Sequence, residues 1–555
     1  MTGSQPPATD SASAPSVQRS PLTVVEWICA LLLTVFILGL AGFRQAVRGE
    51  VWRDETACIQ LALMPTIADI WNNFEHEAFP PVFHFLLRAY LLTFGVSPLA
   101  LKAFGAMVLA LLIAAMWYRA LLHEGRPPLL GLCLLGLNPL ILIWGATLRG
   151  YGLACVFIVL TFTTLAPGPW WNRRGWAFWG LVCAIGSVQC VLQNSCLLFG
   201  IGIASALVFA VQRGWKKAAL VLGIGLLSAL SIAPYLPRYL HADWRQLVQQ
   251  SQGTIGEQLQ LQFDGFQFVL MQPYPWVFGV WVAILGLGMI AAVSPWIVRS
   301  ASQAEPPVPL RTYGLLTLLI ACGAFFLFLF CLNYRPRPWY YLPLLAVLAC
   351  CADALFVRLA HKDWFRVMRL LVVLALLVLI PWGTFERLKY RLTNLDLAAR
   401  ILEERADPDD LILVSPWYFA VSFNWHYHGA ARWVTLPILG KLDFHRYDLV
   451  RARMISSHPL DDLEEELETT LKSGHRVWVV GSLMPIPADG PKHYAPAPDP
   501  QVGWNEEAYT VSWIEQITAF MKTHIQSVGV VEFPDEGPVG NAEDISLIHC
   551  SGWRN

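Results

Sequence analysis

Long apolar runs separated by short polar segments fill most of the first 385 residues of the chain. A helix that crosses a membrane needs about 20 apolar residues. Eleven runs reach or approach this length: 24–42, 99–121, 128–147, 150–167, 176–192, 194–211, 218–236, 275–298, 312–332, 339–357 and 370–385. The pattern predicts a polytopic α-helical membrane protein, with about eleven transmembrane helices in residues 23–385.

One further apolar run, Pro81–Phe94, is too short to span a membrane and carries His84 and Arg88. We predict that it forms an interfacial or re-entrant helix. When this helix is left out and the N-terminus is placed in the cytoplasm, every inner loop is basic, as the positive-inside rule requires. Counting it as a span would turn the later basic loops outward. The pattern therefore predicts a first outer loop at residues 43–98 and an exported C-terminal region.

The two ends of the chain differ in composition from the apolar stretch between them. Residues 1–22 are rich in Ser, Pro, Ala and Thr, which predicts a disordered cytoplasmic tail. The run at 24–42 is long for a signal peptide and lacks a clear cleavage site, so a retained anchor is favoured over a cleaved signal. In residues 386–555, an amphipathic helix at 393–406 and short apolar runs between turn residues predict an exported α/β domain. The predicted strands lie within 407–416, 475–483, 527–533 and 545–550.

Composition and charge agree with a membrane protein and narrow its partners. The chain is 55% hydrophobic and 14% charged, whereas soluble domains carry about a quarter charged residues. Its formal net charge of −1 gives no basis for a nucleic-acid partner. We therefore expect membrane lipids to surround the protein, in an inner or plasma membrane.

The pair Asp54-Glu55 is the strongest candidate for a catalytic group in the first outer loop. It follows Arg53 and lies about a dozen residues after the first span. A partly buried carboxylate near the membrane surface could act as a general base, and Arg53 would keep it ionised. The alternative is a simple Arg53–Asp54 ion pair without a chemical role.

A second feature of this loop is Glu77, which precedes Pro80 and Pro81. Two prolines start a helix well because neither needs a backbone partner in the first turn. His84 and Arg88 would then lie one turn apart on that helix. Arg88 either contacts a substrate or extends to lipid headgroups.

Several basic residues lie at the predicted outer ends of spans. Lys102 opens the second span, Arg149 ends the third, and Arg335 and Arg337 precede Trp339 in an outer turn. Because Arg binds phosphate through a bidentate fork, these residues together suggest a site for a lipid-linked phosphate. Each of them alone is equally explained by anchoring at the membrane surface.

The order of these motifs resembles the GT-C superfamily of membrane glycosyltransferases. After Asp54-Glu55 and the Pro-Pro helix come the segments SPLALKAFGAMVLALLIAAMWYRAL, GLNPLILIWGATLRGYGLA and RPRPWYYLPLLAVLA. They are similar to the Ala-Leu-Arg, Arg-x-Tyr-x-Leu and Arg-Tyr-Leu-x-Pro-Leu motifs of that superfamily. The most similar branches would be the dolichyl-phosphate-mannose–protein mannosyltransferases and the bacterial lipid A aminoarabinose transferases. The resemblance implies a GT-C-like fold.

The resemblance also implies roles for individual residues. Asp54 would be the general base, with Glu55 as its partner. Lys102 stands where relatives carry Arg, and Phe79 replaces the usual His before Pro80. The residues implied for substrate and lipid-phosphate binding are Lys102, Arg149, Tyr151, Arg337, Tyr340, Glu77 and His84. Some superfamily members bind a divalent metal through first-loop carboxylates, which here would be Glu55 or Glu77.

The activity that the resemblance implies is transfer of a sugar, with inversion, from a polyprenyl-phosphate donor. The acceptor would be a lipid, a polysaccharide or a protein at the outer face of the membrane. Two alternatives stay open: a transporter or flippase of lipid-linked sugars, and a non-catalytic partner in envelope assembly. In the exported domain, Trp504, Tyr509 and Trp513 would suit stacking on a sugar, but packing in the domain core is the favoured interpretation. The histidines of that domain have no metal-ligand spacing: His426, His428 and His445.

Overall fold

A computed structural model describes residues 21–77, 79–247, 254–294, 309–332, 336–440 and 442–555. The disordered tail predicted for residues 1–22 falls almost wholly outside the described residues, as does Arg335. We call residues 21–388 the helical region and residues 389–555 the C-terminal domain.

The helical region is built from α-helices and a few short 3₁₀ turns. Its α-helices are Pro21–Val47, Arg53–Ala62, Ile67–Asn73, Pro81–Phe94, Pro98–His123, Leu129–Gly136, Pro139–Trp144, Gly150–Leu165, Trp176–Cys190, Asn194–Val211, Trp215–Leu230, Leu236–His241, Trp244–Leu247, Ile255–Leu270, Trp276–Val293, Pro309–Leu332, Leu342–Leu355, Asp363–Leu379 and Pro381–Leu388. The 3₁₀ turns are Phe74–His76, Pro169–Asn172, Pro338–Tyr341 and Leu359–His361.

In the described residues, six helical segments are long and apolar enough to cross a membrane: five of these helices, and the 3₁₀ turn Pro338–Tyr341 taken together with Leu342–Leu355. A seventh span results if Asp363–Leu379 and Pro381–Leu388, which bend by 42° at their junction, are taken together. The chain is thus a multi-pass integral membrane protein. The sequence pattern predicted about eleven spans, and the other four apolar runs form helices of at most 16 residues.

The apolar run at 128–147 forms two short helices instead of one long helix. It divides at Asn138-Pro139, where Pro139 begins a new helix. The side-chain oxygen of Asn138 accepts a hydrogen bond from the Leu140 N–H at 2.9 Å, and its amide donates to the Val269 carbonyl at 3.0 Å. A polar side chain that satisfies the backbone at a break allows an apolar stretch to turn while it stays buried.

The C-terminal domain combines a mixed sheet with surrounding helices. Its strands are β1 Arg391–Thr393, β2 Leu411–Ser415, β3 Arg432–Thr435, β4 Val477–Gly481, β5 Ile525–Val531, β6 Val539–Glu543 and β7 Ser546–Trp553. Its helices are Leu395–Arg405, Trp417–Phe419 (3₁₀), Ala420–His426, Tyr447–Ile455, Asp461–Lys472 and Glu506–His524. The main sheet has the order β3-β2-β4-β7-β5, and β1 pairs with β6 in a separate ribbon. Strands β3, β2 and β4 are parallel to one another, whereas β7 is antiparallel to β4 and to β5.

Most of the predicted elements of this domain are present. The helix Leu395–Arg405 and strands β2, β4, β5 and β7 confirm the sequence interpretation. Strands β2 and β4 are buried along their whole length, which explains why their apolar runs were visible in the sequence. Strands β1, β3 and β6 were not predicted.

Two of the three aromatic residues considered for sugar stacking lie in the domain core, as the favoured interpretation of the sequence predicted. Tyr509 is 3% and Trp513 2% exposed, and both pack in the core of the C-terminal domain. Trp504 is partly buried against that core, where the Arg451 guanidinium lies 4.8 Å from its ring centre.

The C-terminal domain is tied to the end of the first helix. Arg44, in the last turn of Pro21–Val47, is buried and donates to the Leu388 carbonyl at 3.0 Å. The Arg48 carbonyl accepts from the Leu392 N–H at 3.2 Å. These bonds place the start of the domain beside the first outer loop.

A cluster of charges joins helices at the opposite end of the first helix. Glu26 is buried and pairs with Arg366 at 2.8 Å and Arg369 at 2.5 Å. With a rise of about 1.5 Å per residue, Glu26 lies about 27 Å along the helix from Arg44. The pairs connect the first helix to the helix Asp363–Leu379.

We predict that Glu26→Gln destabilises the protein by about 3–5 kcal/mol, because removal of one partner leaves two buried guanidinium groups without their shared carboxylate. The measurement is the Tm of the detergent-solubilised protein. Asp363→Asn is the matched control, since Asp363 also pairs with Arg366, at 3.2 Å, but is 74% exposed. An exposed pair contributes at most about 1 kcal/mol. Equal Tm values for the two variants would contradict the prediction.

Candidate active site

Asp54 lies in the first turn of the helix Arg53–Ala62, which begins after extended backbone at Trp52. The free N–H groups and dipole of a helix N-terminus favour a carboxylate there. The helix packs against Ala420–His426 of the C-terminal domain. Asp54 is therefore placed at the junction between the helical region and that domain.

Three cationic or ionisable side chains surround the Asp54 carboxylate. Arg149 Nη1 lies 2.7 Å from Oδ2, Arg53 Nε lies 3.4 Å from Oδ1, and His445 Nε2 lies 3.9 Å from Oδ1. The Asp54 side chain is 16% exposed. Burial alone would raise the pKa of Asp54, but Arg149 and Arg53 outweigh it and hold the pKa below its usual value of 3.8. Asp54 is thus an ionised, largely buried carboxylate at neutral pH.

Arg149 is enclosed by aromatic rings. Its guanidinium carbon lies 5.1 Å from the ring centre of Phe79, 5.2 Å from Tyr151, 5.7 Å from Trp339 and 5.9 Å from Trp52. A cation over ring faces gains electrostatic energy while the rings exclude water. Because its charge is engaged by Asp54 and by these rings, Arg149 acts in this arrangement as a partner of Asp54.

Glu55 is not exposed beside Asp54 but points into the protein. It is fully buried, forms an ion pair with Arg48, and accepts a hydrogen bond at 2.9 Å from the N–H of Leu148. Leu148 directly precedes Arg149, so Glu55 positions the segment that carries the guanidinium. This contact suits a positioning residue better than one that contacts a substrate.

Glu77 meets a histidine from the C-terminal domain. Its Oε1 lies 2.7 Å from His445 Nδ1, and the side chains are 4% and 11% exposed. Burial would lower the pKa of His445, but Glu77 and Asp54 raise it above the usual value of 6.5. The imidazole lies between the carboxylates of Glu77 and Asp54, which favour its protonated form, and it links the two parts of the chain.

The remaining predicted site residues do not all lie at the charged cluster around Asp54. The Tyr151 and Tyr340 rings lie 6.1 Å apart, beside Arg149. Arg337 is exposed, in the segment before the 3₁₀ turn Pro338–Tyr341. His84 is fully buried, and neither of its ring nitrogens has a hydrogen-bond partner among the described residues. The structure thus does not bring His84 to the charged cluster.

Lys102 pairs with Glu50 and not with Asp54. It lines a cavity of about 800 Å³ between the end of the first helix and the C-terminal domain. Its Nζ lies 4.0 Å from Glu50 Oε1, and its side chain is 28% exposed. The other charged or ionisable residues that line this cavity are Lys389, Arg391, Asp396, Arg400, His426 and Glu536.

The C-terminal domain supplies part of the candidate site that the sequence pattern did not predict. The Arg53 guanidinium lies 4.4 Å from the Tyr418 ring centre. Glu543, fully buried at the end of β6, accepts a hydrogen bond from the Ser422 hydroxyl at 2.7 Å. Burial raises the pKa of Glu543 to about 7, although Arg53 opposes the shift. One signal was available: Tyr418 follows directly after β2, and sites in α/β domains gather at the carboxyl ends of parallel strands.

Among the described residues, no three His, Cys, Asp or Glu side chains are grouped so that they could hold a metal ion. The carboxylates that the resemblance implied as metal ligands, Glu55 and Glu77, are paired with Arg48 and His445.

No known protein family and no curated protein matches the chain. Among solved structures, it is similar to ArnT from Cupriavidus metallidurans bound to undecaprenyl phosphate, at 13% identity over 82% of this chain and 92% of ArnT, with a TM-score of 0.47. For apo ArnT the identity is 15% over 82% and 93% of the chains, with a TM-score of 0.48. Archaeoglobus fulgidus AglB, an oligosaccharyltransferase in complex with an inhibitory peptide and a dolichol-phosphate, gives 12% identity, coverage of 81% and 69%, and a TM-score of 0.41. ArnT and AglB are GT-C proteins, but at these TM-scores the similarity does not establish a shared activity.

We predict that the bond between Glu77 and His445 stabilises the protein at low pH and is lost at high pH. Because the pKa of folded His445 is raised, its contribution is fully present below the unfolded value near 6.5 and disappears as the pH rises through the folded pKa. A charged hydrogen bond contributes about 1.5–3 kcal/mol. The Tm of His445→Gln should therefore lie below that of wild type at pH 6, and the difference should shrink towards pH 9.

His458→Gln is the matched control for this experiment. His458 pairs with Asp461 at 3.1 Å in the same domain, but both side chains are more than 70% exposed. Its Tm should follow that of wild type at every pH. A pH-independent effect of His445→Gln would contradict the assigned protonation.

Proposed function

We propose that the protein is a membrane glycosyltransferase that moves a sugar from a polyprenyl-phosphate donor to an acceptor, with inversion at the anomeric carbon. The observation that carries this proposal is the ionised Asp54 carboxylate, held by Arg149 at the junction of the apolar helices and a polar domain. A lipid-linked donor needs such a place, because its tail stays in the membrane while its sugar meets a polar acceptor.

In the proposed reaction, Asp54 is the general base. Its carboxylate removes the proton from an acceptor hydroxyl as the oxygen attacks the anomeric carbon. The new carbon–oxygen bond forms while the bond between that carbon and the phosphate oxygen breaks. The electron pair leaves with the polyprenyl phosphate, and Asp54 later returns the proton to solvent.

Arg149 and Glu55 prepare the base for this step. Arg149 keeps Asp54 ionised, and four aromatic rings around the guanidinium limit water access to the pair. Glu55 fixes the backbone that carries Arg149. A preorganised charge of this kind needs little rearrangement during the reaction.

The leaving phosphate needs a cation other than Arg149, which is engaged by Asp54. Lys102 is our candidate, because its side chain is partly exposed and lines the cavity of about 800 Å³ described above. Arg337, which is exposed, is the second candidate. Lys binds phosphate as a point charge, without the bidentate geometry of Arg.

We predict that Asp54→Asn lowers the transfer rate by about 10²-fold or more, the effect of removing a general base. The assay measures consumption of radiolabelled undecaprenyl-phosphate sugars by purified protein, with an envelope extract as the acceptor source. The control is Asp69→Asn in the same loop, since the exposed Asp69 side chain only caps the helix Ile67–Asn73. Equal rates for Asp54→Asn and wild type would exclude Asp54 as the base, and no consumption of any donor by wild type would exclude the function.

We predict that Lys102→Gln raises the KM for the donor about tenfold, because one charged contact to the phosphate is lost. The KM for the acceptor should not change. Lys216→Gln is the control, since Lys216 is an exposed lysine at the start of the helix Trp215–Leu230. An unchanged donor KM for Lys102→Gln would leave Arg337 as the phosphate candidate.

A further inference from the structure

A second, smaller cavity lies beside the candidate active site. It has a volume of about 330 Å³, near the lower end of the range for small-molecule sites. Two polar segments of the helical region and one helix of the C-terminal domain enclose it. The residues that line it are Glu75, His76, Pro237, Arg238, His241, Ala242, Asp243, Trp244 and Tyr447.

Hydrogen bonds and ion pairs hold the walls of this cavity together. Trp244 Nε1 donates to the Glu75 carbonyl at 3.1 Å, which joins two segments of the helical region. Asp243 pairs with Arg451 of the C-terminal domain at 2.8 Å. Arg238 donates to the Trp71 carbonyl at 2.7 Å. These contacts therefore fix the walls of the cavity at the junction between the helical region and the C-terminal domain.

The cavity adjoins the charged cluster through two neighbouring contacts. The His76 ring stacks on Phe444 at 5.2 Å between ring centres. The next residues along both segments are Glu77 and His445, which form the ion pair beside Asp54. The cavity and the charged cluster around Asp54 are thus formed in part by neighbouring residues of the same two segments.

The lining has the chemistry of a carbohydrate site. Trp244 and Tyr447 are aromatic side chains at the cavity, and aromatic rings can pack on the C–H groups of a sugar; the Tyr447 ring also stacks on His445, at 6.3 Å between ring centres. The side chain of Glu75 makes no hydrogen bond or ion pair with other described residues, although it lines the cavity, so it can accept hydrogen bonds from hydroxyl groups. Burial lowers the pKa of His76 below 6.5, so its ring is neutral near pH 7 and can both donate and accept.

The position of the cavity favours the acceptor over the donor. Apart from Ala242 and Pro237 its lining is polar or aromatic, and none of it comes from a helix that is long enough to span a membrane. The lysine proposed for the donor phosphate borders the other cavity. A donor anchored by its lipid tail therefore has its phosphate site elsewhere.

We propose that the smaller cavity binds a sugar ring of the acceptor, so that the acceptor of this enzyme is a carbohydrate. This inference rests on the function proposed above and specifies the substrate class of the same reaction. The bound ring would anchor the acceptor beside the Glu77–His445 pair, and a neighbouring sugar unit of the same acceptor would offer its hydroxyl group to Asp54.

The first experiment titrates an envelope extract at a fixed concentration of radiolabelled undecaprenyl-phosphate sugar, and then titrates the donor at a fixed amount of extract. Trp244→Ala should raise the half-saturating amount of extract about tenfold, since one aromatic contact is lost. Glu75→Gln should raise it in the same direction. The half-saturating donor concentration and the maximal rate should stay unchanged for both variants.

Two further variants separate binding from folding. Because the Trp244 indole also holds the Glu75 backbone, Trp244→Phe keeps a ring in the cavity and should give a value between wild type and Trp244→Ala. Trp553→Ala is the control, since Trp553 stacks on His524 at 4.5 Å in the C-terminal domain and does not line the cavity. If Trp244→Ala does not fold, Glu75→Gln and Trp244→Phe decide the outcome.

A second experiment tests the substrate class directly. Periodate cleaves vicinal diols and destroys most sugar rings, so a periodate-treated extract should lose its acceptor capacity relative to a mock-treated extract. Full transfer to the treated extract would overturn the inference. So would unchanged titrations for Trp244→Ala and Glu75→Gln, or a rise in the donor requirement instead of the extract requirement. If wild type consumes no donor, the proposed function fails, and the inference fails with it.

Discussion

The burial of the Asp54 carboxylate is the constraint around which the candidate site is arranged. A carboxylate removed from water is costly unless a cation lies close to it, and Arg149 at 2.7 Å meets that need. Arg149 is itself buried, so its charge requires both Asp54 and the surrounding rings. Glu55 then fixes the chain before Arg149 through the Leu148 N–H. The neighbours of Asp54 can therefore be understood as consequences of placing one charge in an apolar setting.

This arrangement explains what the short sequence motifs have in common. In Arg149-Gly-Tyr151, the two outer residues act on the same group, because the Tyr151 ring lies 5.2 Å from the guanidinium. Gly150 is required between them, since a Cβ at this position would lie 2.3 Å from the Cys190 carbonyl oxygen. In Asp54-Glu55, the two carboxylates make different contacts: Asp54 pairs with Arg149, whereas Glu55 binds the backbone N–H of Leu148.

The C-terminal domain contributes side chains to the candidate site. His445 provides the hydrogen-bond partner of Glu77, and Tyr418 lies against Arg53, which neighbours Asp54. These contacts need the domain to sit on the first outer loop, and the hydrogen bonds of Arg44 and Arg48 to the connecting segment hold it there. The docking of the domain and the charge state of the cluster are thus coupled through His445.

The sequence alone predicted the apolar character of residues 21–388 and the mixed α/β nature of the C-terminal domain, because hydropathy and short motifs are local properties. It could not predict where an apolar run divides into two helices, since a polar break such as Asn138 hardly changes a hydropathy average. Only the tertiary structure brought Arg149 to Asp54 and brought His445 to Glu77 across 368 residues of chain. Contacts of that kind depend on how two domains pack, and no local pattern in the sequence records them.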